Sequence, residues 1–289
     1  VVVTRRLAFF PRLRPRTGRA SLAAAGGIRM SLTRSAFRTA AVALAFLLPA
    51  AHTDAGTITL VADEWCPYNC EPGSDKPGFM IEIAQKVLGE AGHTIEYSNM
   101  PWSRAIEESR RGKFGGIVGA ARDDAPDFVF PAEPLGVSGS VFAVKKGAAW
   151  KYAGADSLSG VAVGVIQDYS YSEDFDAYAE ANAKDSKRIQ VATGETALST
   201  NIRKLEAGRI GALLEDKAVL EYQLAQDGKM GIFDYAGGLE EAEVFIAFSP
   251  ADPASKDYAK LLGEGVAKLR ASGELATILS RYGLKDWKQ

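Results

Sequence analysis

The sequence predicts an α/β protein of two Rossmann-like lobes joined by a two-strand hinge. Three observations lead there. Short β-like runs alternate with amphipathic helical runs, which implies crossover connections and a mostly parallel sheet. The alternation occurs twice in succession, each set about the size of a small domain. The two sets are joined by strand-like segments, 139–146 outward and 243–249 back, instead of a linker rich in Pro, Gly or Ser.

In the first set, Thr57–Ala62 reads as a strand. Met80, Ile83, Ala84, Val87, Leu88 and Ala91 then recur at helical spacing, and Gly92 ends that helix. Residues 94–98 read as the second strand, 103–111 as a helix ending at Gly112, and Ile117-Val118 as a short buried strand. The second set opens with strand-like residues 141–145. Residues 161–165 form an apolar strand that runs into a polar turn, 167–170. A helix is expected over 174–183, then a strand over 189–192. A helix through Leu198, Ile202 and Leu205 follows, then a strand over 210–214 and a helix through Val219, Leu220 and Leu224. Residues 244–248 read as a strand, and two helices punctuated by Gly273 and Gly283 close the chain. The expected division is lobe one over 56–141 and 245–289, and lobe two over 142–244.

The charge is unevenly placed. The 289 residues carry a formal net charge of -2, yet residues 1–55 hold nine arginines and a single acid, Asp54. The remainder has a net charge of -10. An acidic body speaks against a nucleic-acid groove. Met30, Arg34 and Arg38, the apolar run 40–48, then Pro49 and small residues to Ala55 have the order of a secretory signal peptide. The run is too short for a stable transmembrane helix. Cleavage after Ala55 or after Ala51 is expected, and residues 1–29 read as an upstream extension. The expected location is the periplasm.

Cys66 and Cys70 are the only cysteines, and His52 and His93 the only histidines. A structural zinc site ordinarily takes four ligands, so a metal is not expected. In an exported protein the cysteine pair reads as a disulfide, with two unpaired thiols the alternative. His93, the only histidine outside the leader, falls in what reads as a surface turn. No phosphate loop, dinucleotide fingerprint or nucleophile elbow occurs. Asp123-Asp124 and Glu240-Glu241 read as solvated loop carboxylates. No cofactor and no catalytic residue are expected.

Several segments together resemble a known family. They are Ala62-Asp63-Glu64-Trp65 with Pro67-Tyr68, Pro77-Gly78-Phe79-Met80, Met100-Pro101-Trp102-Ser103-Arg104 and Gly112-Lys113-Phe114. In the second set they are Val163-Gly164-Val165-Ile166-Gln167, Leu205-Glu206-Ala207-Gly208-Arg209 and Leu213-Leu214-Glu215-Asp216, followed by residues 269–275 and Arg281-Tyr282-Gly283. Each is weak alone; their order and spacing resemble the family 3 extracellular solute-binding proteins of the polar amino-acid type. The resemblance implies a periplasmic binding protein type II-like fold and a small polar solute held between the lobes. It also implies delivery by a monomer to the transmembrane permease subunits of an ABC transporter. A sensory module for a membrane receptor, or a dehydratase-like enzyme on the same fold, are the alternatives.

The resemblance also assigns ligand contacts. Asp63 and Trp65 follow the first strand, where the family places an acid and an aromatic. Trp102 falls where an aromatic stacks on the ligand, and Gly119 and Ala120 offer backbone groups. Gln167, Tyr169 and Ser170 lie on the turn that binds a carboxylate. Asp216 matches the acid that receives an α-ammonium group. The family's usual carboxylate-binding arginine has no aligned counterpart; Arg122 is the only base nearby. Tyr169 and Asp168 stand where small residues are common, so Tyr169 is expected to narrow the cleft and Asp168 to repel an anion.

Overall fold

The structure, a computed structural model, describes residues 56–288. The signal segment expected over 30–55 and the extension over 1–29 lie outside the described residues. Two five-stranded mixed sheets organise the rest.

The first sheet begins with β1 (Thr57–Ala62), buried along most of its length. Helix α1 (Phe79–Glu90) packs seven apolar side chains inward, from Phe79 to Leu88. It has no side-chain cap. Instead the carbonyls of Pro67 and Tyr68 accept from the N–H groups of Phe79 and Met80, meeting the need of a helix N-terminus for acceptors. The residue before it, Gly78, has φ +106°, and a Cβ there would collide with the Tyr68–Asn69 backbone. Only glycine fits that approach. β2 (Thr94–Asn99), α2 (Trp102–Arg110) and β3 (Gly116–Ala120) follow. β1 pairs in parallel with both β2 and β3.

The chain then changes sheets. β4 (Gly136–Ser138) lies on the edge of the first sheet and β5 (Ser140–Lys145) in the second. After a 3₁₀ turn, β6 (Val163–Ile166), α3 (Glu173–Asn182), β7 (Ile189–Ala192), α4 (Ala197–Glu206) and β8 (Ala212–Asp216) build that sheet. Ser172 caps α3 by accepting from the Phe175 N–H, with Glu173, Asp174 and Asp176 in its first turn. α5 (Lys217–Gln226) and β9 (Phe233–Gly238) complete the lobe. β10 (Ala242–Phe248) returns to the first sheet, antiparallel to β3 and β4. α6 (Ser255–Ser272) and α7 (Glu274–Ser280) then cover it, separated by Gly273. The strand orders are β2-β1-β3-β10-β4 and β7-β6-β8-β5-β9.

The predicted class of two α/β lobes with two strand-like crossings is the observed one. The changes of sheet fall at Gly139 and at 239–241, a few residues from the expected divisions at 141/142 and 244/245. β4 and β9 were not anticipated as separate strands. His93 differs from its expectation as well. It is only 4% exposed, lies edge-on to Tyr258, and its Nδ1 accepts from the Gly56 N–H.

Candidate functional site

The cleft forms where strands from the two sheets end. Open α/β sheets bind ligands beyond the carboxyl ends of their parallel strands. Here β1 delivers Asp63, β3 delivers Gly119, and β6 delivers the turn with Tyr169. A cavity of about 90 Å³ lies against these groups, with Trp65, Trp102, Asp124 and Tyr171 in its wall. A larger cavity, about 470 Å³, adjoins it and shares Asp63, Trp102 and Tyr169. Gln167, Asp168 and Ser103 line the larger one.

Two hydrogen bonds cross between the lobes at this place. The Tyr169 hydroxyl donates to Asp63 Oδ2 at 2.6 Å. The Ser103 hydroxyl donates to Asp168 Oδ2 at 2.9 Å. Asp168 sits at φ +63°, the only non-glycine with a left-handed backbone among the described residues. Asx side chains tolerate that region better than most. Tyr169 narrows the cleft, as its bulk suggested. It does so by bonding the acid assigned to the ligand.

Trp65 is held from below by the closed loop Cys66–Cys70, a disulfide with Cα atoms 4.7 Å apart. The loop's backbone bonds, Trp65 N–H to Asn69 O and Tyr68 N–H to Trp65 O, fix its shape. The indole stacks on Tyr68 with centroids 4.0 Å apart. Its far edge lies against Gly119, where a Cβ would come within 3.2 Å of the ring. Gly119 has φ +88°, so glycine answers both backbone and space there. Trp102 starts α2 and packs on the small cluster around Val61, Ile117 and Phe128 while also facing both cavities.

Other assigned residues stand elsewhere. Arg122 is turned away from the cleft. Its guanidinium lies over Phe245 at 4.4 Å and Phe130 at 5.2 Å, and it donates to the Pro131 carbonyl. Those aromatic faces hold the cation where the expected carboxylate contact would have needed it free. Asp216 is also corrected. It is 2% exposed and already saturated. Its Oδ2 accepts from the Ser138 hydroxyl, the Gly139 N–H and the Tyr68 hydroxyl, and its Oδ1 caps α5 through the Val219 N–H. It is a clasp at the crossing between sheets, with burial raising its pKa above the ordinary value. Ala120 is fully buried beside Phe245 and lines neither of these two cavities. Ser170 does line the small cavity, but its hydroxyl, expected on a carboxylate, donates to Asp176. The N–H groups of Gln167 and Tyr169 are taken by the carbonyls of Ala192 and Ile166.

Sequence reasoning passed over several cleft groups. Asp124 was read as solvated, yet it accepts from the Ala121 N–H and burial pushes its carboxyl up to about 6. Ser138 and Ser140 come from the crossing, and Glu240 from the return. The polar character of 123–124 was visible, but not the fold that turns Asp124 inward; Glu240 lines the small cavity and stays exposed. Beneath the cleft lies Glu215, 1% exposed. Its Oε1 accepts from the Asp216 N–H while its Oε2 has no partner. Burial pushes this carboxyl up to about 8. Burial likewise pushes Asp63 up to about 6, against the opposing hydrogen bond from Tyr169.

Among known structures, one on glutathione import in Gram-positive bacteria via GshT and the cystine ABC importer TcyBC of Streptococcus mutans superposes with TM-score 0.64. It is 16% identical, over 79% of this chain and 95% of that one. A histidine kinase sensor domain similar to periplasmic binding proteins gives 0.62, with 18% identity over 78% and 95%. An ancestral arginine-binding protein bound to arginine gives 0.60, with 18% identity over 78% and 98%. At such identities the likeness concerns the fold. No curated protein matches the chain in sequence. Residues 58–285 match the family model of the bacterial extracellular solute-binding proteins, family 3. With that match over most of its length, the chain belongs to the bacterial extracellular solute-binding proteins, family 3.

Proposed function

We propose that this protein captures a small polar solute between its two lobes in the periplasm and delivers it, as a monomer, to the transmembrane subunits of an ABC importer. The observation that carries the reading is the meeting of both lobes over one cleft, Asp63 of the first bonded to Tyr169 of the second. Two short crossings, at Gly139 and at 239–241, are the connections about which the lobes would open. Closing brings Tyr169 and Asp168 onto Asp63 and Ser103. A solute bonded to both lobes would stabilise the closed arrangement relative to the open one. The permease would then recognise the closed form.

A melting screen against amino acids, amines, organic acids and small sugars tests this. A solute that binds only the folded chain raises the melting temperature. The reading predicts such a rise with one solute class, lost on Trp102→Ala. Absence of any rise across all classes would refute it.

A further inference from the structure

The cleft is charged with one sign. Asp63 and Asp124 face the small cavity, Asp168 faces the large one, and among the described residues no Lys, Arg or His lines either. The nearest candidate cation, Arg122, is held on Phe245 and Phe130. On the β6–α3 turn several of the donors that would suit a carboxylate are in use. The Ser170 hydroxyl and the Tyr171 N–H donate to Asp176, and the Gln167 N–H donates to Ala192. A solute carboxylate entering here would lose its hydration beside two acids without a cation in return, which is strongly unfavourable. A solute cation meets the opposite conditions: carboxylates to bond and the faces of Trp65 and Trp102 to lie against.

A second observation points the same way. Asn69 is fully buried. Its amide nitrogen donates to the Asp63 carbonyl at 2.6 Å and to the Tyr97 hydroxyl at 2.9 Å. That fixes which way the amide faces. Its Oδ1 is left without a partner, 3.5 Å from where a Cβ would stand on Gly119, a residue that lines the small cavity. A buried acceptor without a donor costs free energy, and an N–H of a solute would satisfy it.

We propose that the solute is an organic cation with N–H donors and no carboxylate, an alkyl amine or guanidine held between Asp63, Asp124 and the two tryptophans. The inference rests on the solute-binding reading above and narrows it. Burial holds Asp63 and Asp124 near pKa 6. A bound ammonium draws both back toward the ionised form, whereas a bound carboxylate drives them further up.

Matched pairs in calorimetry test it on the purified full chain at pH 7.5. 1,5-Diaminopentane is compared with lysine, and agmatine with arginine; within each pair the difference is one carboxylate. Glutamine and glutamate complete the panel. The expected result is binding of at least one decarboxylated member, tenfold or more tighter than its amino acid. Asp63→Asn and Asp124→Asn, each checked for cooperative melting, are expected to weaken it tenfold or more. Equal or tighter binding of any amino acid overturns the inference and leaves the solute-binding reading in place. If a cooperatively melting wild-type protein binds no cation of the panel, the inference is overturned too, and the broader melting screen decides the parent reading separately.

Discussion

Glu215 is the buried acid whose consequences for stability are easiest to isolate. Its carboxyl is 1% exposed beneath the cleft, and burial raises it from an ordinary value of 4.5 to about 8. Between those values the folded chain keeps a proton that the unfolded chain has released. Folding therefore takes up a proton, and stability falls as pH rises across that window. The slope is about 1.4 kcal/mol per pH unit, so about 3 kcal/mol is lost between pH 4.5 and pH 7. Glu215→Gln keeps the oxygen that accepts from the Asp216 N–H and removes the titration. Any fixed offset from the altered group at Oε2 is independent of pH, so the slope of the difference is the test. Urea unfolding of both proteins should show the variant gaining by about 3 kcal/mol relative to wild type from pH 4.5 to pH 7. Asp63 contributes a similar loss below about pH 6, but it does so in both proteins and cancels. A difference that stays constant over this range would refute the protonated, buried Glu215.

Three further outcomes follow from the geometry. Asp216→Ala strips the acceptor from Ser138, Gly139 and the start of α5, while the Tyr68 hydroxyl keeps the Val137 carbonyl; a loss of about 3 kcal/mol or more is expected in chemical unfolding. A loss confined to solute affinity would instead restore Asp216 as a ligand contact. Tyr169→Phe removes the hydroxyl bonded to Asp63, a contribution of about 1–2 kcal/mol to closure. X-ray scattering of the solute-free variant should show a larger radius of gyration than wild type, and an unchanged radius would remove this bond from the closing mechanism. Gly119→Ala forces a side chain into φ +88° and against the Trp65 ring. It should lower stability by about 1–2 kcal/mol or more, and a neutral result on thermal unfolding would contradict the tight approach of Trp65 to β3.

Elements with a strong local signature were legible. β1 is buried along most of its length, and α1 carries apolar residues at helical spacing, so local composition and period suffice for them. β4 is three residues long, and β9 ends in two glycines at a sheet edge. Both owe their pairing to strands far along the chain, which a local pattern does not encode. The site divides in the same way. Asp63, Trp65, Trp102, Gly119 and Tyr169 sit at or just beyond element ends that the pattern located, and the fold brings them together. Arg122 was misread because its destination depends on Phe245, more than a hundred residues later. Asp216 was misread because its partners come from the Cys66–Cys70 loop, the sheet crossing and its own helix. Asp124 lies in a loop whose inward turn exists only in the folded chain.

The claim that one inter-lobe cleft takes the solute is tested most directly by a crystal structure with the solute identified in the melting screen. The account predicts that solute between Trp102 and Tyr169, within hydrogen-bond distance of Asp63. A solute seated outside this cleft, with the Asp63–Tyr169 contact unaltered, would contradict it.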